Sequence, residues 1–326
     1  MTTSRIPDIS IGVPVPLPQR GSWPASVHVF DEPSAWAVRA ALAAQRPLLV
    51  RGEPGVGKSQ LARAAAEVFG RLFVSEVVHA RSESQDLQWH YDAIGRLGEA
   101  QALGATRESA EHVRTQLNHR NYLSPGALWW VFDWESARHQ HKRSGGQTGQ
   151  PVVPEGWIPR KGSVLLIDEI DKAEADLPNG LLETLGNGAF SVPWLDQPVT
   201  AHPDMPTPLV VITTNEEREL PAAFVRRCLV LNLSLPERQT EFIELLVARG
   251  RYHFKELCAA EVYHEAAQQL WDDRSNATDG AGRSGQAEYV DMLRVVAALE
   301  PDHSKQVELL YKIRDFALKK RPPPIA

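Results

Sequence analysis

Cysteine is nearly absent: the 326 residues contain two, Cys228 and Cys258. A pair this far apart, in no metal-type spacing, builds neither a disulfide framework nor a thiolate metal cluster. Both read as ordinary thiols of a reducing compartment. Long apolar runs are missing too, and nothing approaches the roughly 18 residues a membrane span requires. The N-terminus has no apolar leader core, and Pro14, Pro16 and Pro18 interrupt that region. These absences predict a cytoplasmic protein with no membrane segment. Basic charge is not in excess either. Lys and Arg number 35 against 41 Asp and Glu, a formal net charge of −6, which argues against whole-protein attraction to nucleic acid or acidic membranes.

What is present begins with Leu48-Leu-Val50, a short buried strand that runs into Gly52-Glu53-Pro54-Gly55-Val56-Gly57-Lys58-Ser59-Gln60. Gly52 to Ser59 fits the phosphate-loop pattern of glycine, four residues, then Gly-Lys-Ser. Glycines let successive main-chain N–H groups turn inward around a phosphate, where side chains would block the approach. Lys58 supplies a flexible cation to the outer phosphates, and the Ser59 hydroxyl suits one position on Mg2+. The Ala-rich segment Leu61–Phe69 follows as a helix whose positive end faces the phosphates. A Gly/Pro turn before an Ala-rich helix is the bland alternative, and the strand-loop-helix context argues against it.

The second signal is Val164-Leu-Leu-Ile167-Asp168-Glu169, a buried strand ending in two acids. Asp168 is the expected magnesium ligand, directly or through water, and Glu169 the base that activates water. A third buried strand, Leu209-Val-Val-Ile-Thr213-Thr214, ends at Asn215, which suits a hydrogen bond to the attacking water or the terminal phosphate. Arg226 and Arg227 lie between a short helix and a strand, where they serve either solvation or a neighbouring subunit's nucleotide.

Around these pieces the chain divides by composition. Residues 1–24 form a proline-rich arm, and 25–235 an α/β nucleotide-binding domain with an irregular insert around 81–160. Residues 236–320 make a small all-α domain, and 321–326 a tail. Within the insert, Arg138–Gln150 reads as a mobile loop, and His139 and His141 as solvated rather than metal-binding. Trp129, Trp130 and Trp134 read as packing beneath an inserted helical element in preference to a partner surface.

Together Gly52–Ser59, Val164–Glu169 with Asp171, Thr213–Asn215, and Leu181–Phe190 after the acids resemble the MoxR-type AAA+ ATPases, in the branch with an insert in its second helix region. The likeness spans about Phe30 to Leu299. It implies a parallel sheet flanked by helices with a helical lid behind it, hydrolysing ATP with Mg2+ in an oligomeric ring, usually hexameric. In that ring a neighbour's arginine finger, matched best by Arg227 with Arg226 beside it, completes each site. Arg283 resembles the sensor 2 arginine, with Arg294 as fallback. The resemblance also implies a protein client or partner, one candidate class carrying a von Willebrand factor A-type domain. Three activities remain open: chaperone-like remodelling of a partner, a nucleotide-gated signalling or scaffold switch, and a DNA-acting motor. The acidic balance disfavours the third.

Overall fold

The computed structural model describes residues 6–106, 108–146, 148–276 and 284–318; the tail expected at 321–326 lies outside them. By internal contacts the chain forms two compact units. One runs up to Ile9 and includes Pro33–Leu49 and Ala62–Leu231; the other holds Ser10–Glu32, Val50–Leu61 and the chain from Asn232 onward.

In order, the elements are β1 (Pro14–Leu17), β2 (Ser26–Val29), α1 (Glu32–Ala44), β3 (Leu48–Arg51), α2 (Lys58–Phe69) and β4 (Leu72–Val77). Next come β5 (Trp89–Tyr91), α3 (Ala93–Gly104), α4 (Ala110–Gln116), β6 (Leu123–Pro125), α5 (Ala127–Phe132) and α6 (Trp134–Arg143). Then follow β7 (Ser163–Asp168), α7 (Asp176–Asn187), β8 (Ala189–Phe190), β9 (Val199–Thr200), β10 (Leu209–Thr214), α8 (Ala222–Arg227) and β11 (Leu229–Asn232). Among the described residues four helices follow: α9 (Gln239–Phe254), α10 (Ala260–Ser275), α11 (Gln286–Leu299) and α12 (His303–Leu318).

The fold is the expected one, a five-stranded parallel sheet flanked by helices and followed by a helical region. The strand order is β11–β3–β10–β7–β4. Covered on both faces, its central strands are continuous apolar runs rather than alternating ones: every residue of β10 is buried, as are all of β7 but Asp168. Parallel registers run from Leu209 opposite Val164 to Ile212 opposite Ile167, and from Leu72 opposite Ser163 to Val77 opposite Asp168.

The insert is more ordered than its sequence suggests. Strands β5 and β6 pair antiparallel, and all of α5 is buried. Trp129, Trp130 and Trp134 enter the main core of the sheet-bearing unit, joined by Trp157, so the packing reading holds. The mobile loop expected over Arg138–Gln150 is corrected in its first part, because α6 continues to Arg143. Asp133 caps this helix by accepting the Ser136 N–H. Trp134, Ala137 and Gln140 recur every three residues as its buried face, a stripe hidden in sequence by surrounding charge. Buried Gln140 donates from Nε2 to the Arg120 and Leu123 carbonyls at 2.6 and 2.7 Å, tying the helix to β6.

In the second unit, β1 and β2 form an antiparallel hairpin. Helices α9–α12 share a core that includes Phe242, Leu246, Val262, Tyr289, Met292 and Leu310. Both cysteines are buried thiols outside any disulfide. Burial pushes the Cys258 thiol up to about 11, so it stays protonated and unreactive at neutral pH. Among the described residues no helix is long and apolar enough to cross a membrane.

Replacing Gln140 by Met leaves two inward carbonyls unpaired at nearly constant volume. It should lower the unfolding free energy by about 1–3 kcal/mol in urea titration; an unchanged midpoint would refute the tether.

Candidate functional site

The loop after β3 needs glycine for steric reasons that differ by position. A Cβ on Gly52 would stand 2.2 Å from the Leu233 carbonyl oxygen, and its φ is +149°. Gly57, at φ +99°, faces open space, with nothing within 4 Å of where a Cβ would be. The first glycine therefore permits close packing, and the second leaves room before the helix N-terminus. Val56 packs into the helical core, Pro54 is exposed, and Ser59 and Gln60 are half-buried in the first turn of α2.

Lys58 is only 7% exposed. Its ammonium donates to the Gly52 carbonyl at 2.6 Å and the Glu53 carbonyl at 2.9 Å. A buried cation against main-chain oxygens, inside a glycine turn at a helix N-terminus, fits a polyphosphate: the anion offers oxygens in place of the carbonyls. Ser59, the residue expected from sequence to offer a hydroxyl to Mg2+, follows Lys58 in the first turn of α2. Glu53 turns its carboxylate the other way, to Arg274 on α10, at 2.8 Å.

The strand-end acids sit in the other unit. Thr213 at the end of β10 donates its hydroxyl to Asp168 Oδ1 at 2.5 Å and accepts the Glu169 N–H at 2.9 Å. Glu169 is left-handed, at φ +59°, a conformation uncommon for residues with a Cβ and concentrated at functional sites. It turns the chain from β7 into a tight helical turn, Ile170–Lys172. Its Oε1 faces the Asn215 amide at 3.4 Å, and its Oε2 pairs with the Lys172 ammonium at 2.6 Å. That hydrogen bond and the negative charge raise the Lys172 pKa above its ordinary value.

Asp171, 2% exposed, accepts the N–H groups of Asn215 at 3.1 Å and Glu217 at 2.9 Å, fixing the turn that carries the asparagine. Asp168, Glu169 and Asn215 are thus brought together as expected. Thr213, Asp171 and Lys172 lie within the stretches that carry the resemblance, but sequence alone assigns no contact to them. The only signal for Lys172 was the three-residue spacing from Glu169, one helical turn.

Arg226 and Arg227 end α8, both exposed, and among the described residues neither guanidinium makes an ion pair. Their backbone is anchored instead. Arg46 donates from Nε to the Arg227 carbonyl at 3.0 Å and from Nη2 to the Arg226 and Cys228 carbonyls, capping orphan acceptors at the helix C-terminus. Arg227 also lines a pocket of about 620 Å³ with Phe132, Leu182, His202 and Met205; the other expected site residues are not among its walls. Arg283 lies outside the described residues. Arg294 is exposed and paired with Asp291 on its own helix at 2.5 Å. No cluster of three or more His, Cys, Asp or Glu capable of holding a metal occurs among the described residues. Of the histidines of α6, His139 is exposed and His141 is half-buried against Trp130.

No curated protein matches the chain. The family profile of the AAA domain (dynein-related subfamily) matches residues 47–228, more than half of the 326 residues. The match takes in the glycine loop, both strand-end acids, Asn215 and the arginine pair. The chain belongs to the AAA family, in its dynein-related subfamily.

Proposed function

We propose that this AAA protein is a MoxR-like ATPase that hydrolyses Mg·ATP in a homo-oligomeric, hexameric ring and uses the cycle to remodel or activate a partner protein. The observation that carries the hydrolytic reading is the pairing of Glu169 with Asn215 beside Asp168: a carboxylate base, an amide that positions water and a metal-type acid at adjacent strand ends. Family membership supports nucleotide hydrolysis in general.

On this reading the main-chain N–H groups from Gly52 to Gly57 cradle the phosphates, and Lys58 exchanges its carbonyl partners for phosphate oxygens. Ser59 and Asp168 are the residues that would hold Mg2+, which would supply charge neutralisation for the triphosphate. Glu169 takes the proton of the attacking water, with Asn215 fixing the water's orientation. Arg227, with Arg226 as the other candidate, extends from a neighbouring copy to the charge developing on the transferred group. We assign residues 25–235 to the nucleotide-binding domain and 236–320 to the lid, with Arg283 as its nucleotide sensor. A client bearing a von Willebrand factor A-type domain remains the partner suggested by the MoxR likeness.

One contact favours a second reading, the nucleotide-gated switch. With Asn215 facing Oε1 and Lys172 on Oε2, both oxygens of Glu169 are engaged, which leaves neither one directed at a water. Turnover then waits on release of Lys172, as a timed switch requires.

Three measurements test these assignments. Glu169→Gln should retain ATP binding while kcat falls by roughly 10²–10⁴; ordinary turnover removes Glu169 from its role. Arg227→Ala should cost roughly 10³–10⁵ in kcat, and mixing it with Lys58→Ala chains should give more activity than either alone. Failure of the mixture to recover, or full activity in both single variants, rejects the shared site. Lys172→Met should raise basal turnover severalfold under the gated reading, whereas a fall in rate assigns Lys172 to catalysis instead.

A further inference from the structure

Glu53 and Arg274 join two parts of the second unit that sequence reasoning treated separately. Arg274 lies in the last turn of α10, with its side chain 13% exposed. One arm of its guanidinium, Nη2, reaches Glu53 Oε2 at 2.8 Å; the other, Nη1, donates to the Ser284 carbonyl at 2.7 Å. The guanidinium carbon also stands 5.8 Å from the centre of the Phe242 ring, within reach of a cation–π contact. A single planar cation therefore bridges the glycine loop and the residues entering α11.

The same face is closely packed. A Cβ on Gly285 would lie 2.8 Å from the Pro54 carbonyl oxygen, and one on Gly55 would lie 3.1 Å from the Ala287 Cβ. The Glu288 carboxylate accepts the Gly285 N–H at 2.7 Å, fixing the first turn of α11 against the loop. Glu53 has a further partner, since its own carbonyl accepts the Lys58 ammonium. A phosphate that takes up the donors of Lys58 competes with that carbonyl, so the peptide carrying Glu53 is a part of the loop placed to register occupancy.

We propose that Arg274 is a positioning residue, and that its ion pair with Glu53 transmits nucleotide occupancy of the loop to the start of α11. This rests on the reading of the loop as the ATP site. The pair acts as a linkage: whatever loop conformation the nucleotide favours, Arg274 biases residues 284–287 toward the matching position. By reciprocity, holding those residues in place strengthens nucleotide binding by the same factor.

The test measures binding of the slowly hydrolysed analogue ATPγS with Mg2+, together with amide hydrogen exchange over residues 284–290, in the full chain. In the wild type, ATPγS should slow exchange at the start of α11. Glu53→Gln and Arg274→Gln should each weaken ATPγS binding by about 3–10-fold, as expected for a half-buried ion pair, and should abolish the nucleotide-dependent protection. The double variant should be no weaker than the worse single, and the reversed pair Glu53→Arg with Arg274→Glu should recover part of the protection.

Additive losses, or full protection in either single variant, overturn the linkage. If Arg274→Gln fails to fold, Glu53→Gln decides the question, because its side chain is 42% exposed and its removal leaves the helical core intact. A wild-type chain that does not bind ATPγS overturns the phosphate-loop reading and the linkage with it. Binding without protection at α11 overturns the linkage alone.

Discussion

Four residue pairs between β7 and β10, Val164 with Leu209 through Ile167 with Ile212, hold the catalytic candidates of the sheet at one level. Parallel pairing fixes this alignment, and both strands are buried along their length, so a slip of one residue would move a set of side chains to the opposite face. The alignment brings Thr213 to Asp168 and the following residues, Asn215 and Glu169, within reach of each other. The hydroxyl of Thr213 then locks it by serving Asp168 and the Glu169 N–H together. Every chemical role proposed for the acids presupposes that register.

Around it the polar groups are arranged to restrain one another. Asp171 spends an oxygen on two consecutive-turn N–H groups. Lys172 neutralises Glu169, and Glu169 holds an unfavourable backbone angle while it does so. A strained residue persists only where its surroundings over-determine it, and here the hydrogen bond from its N–H to Thr213 and the tight turn behind it supply that determination. The phosphate loop shows a parallel economy, with its buried lysine stabilised by carbonyls of its own turn.

How much of this was legible from sequence depended on how local the cause was. Glycine spacing in residues 52–59 and the apolar runs ending at Asp168 and Asn215 carry their meaning within a few residues, so the sheet, the loop and the strand-end groups were readable. Helix α6 was not, because its apolar face is only Trp134 and Ala137 with Gln140 between charged neighbours, and a buried glutamine looks like surface until its carbonyl acceptors are known. Arg274 and Arg46 were invisible for a different reason. Their partners lie 221 and about 180 residues away in sequence, and no local pattern of charge marks an arginine whose work is to bind a distant carboxylate or a helix end.

The bracket formed by Arg46 has a consequence for how this surface tolerates variation. Its acceptors are three main-chain oxygens, those of residues 226, 227 and 228, and carbonyls are the same whatever side chain is attached. The turn is therefore gripped independently of the identities it displays. Substitution there exchanges the tool while leaving the handle in the same place.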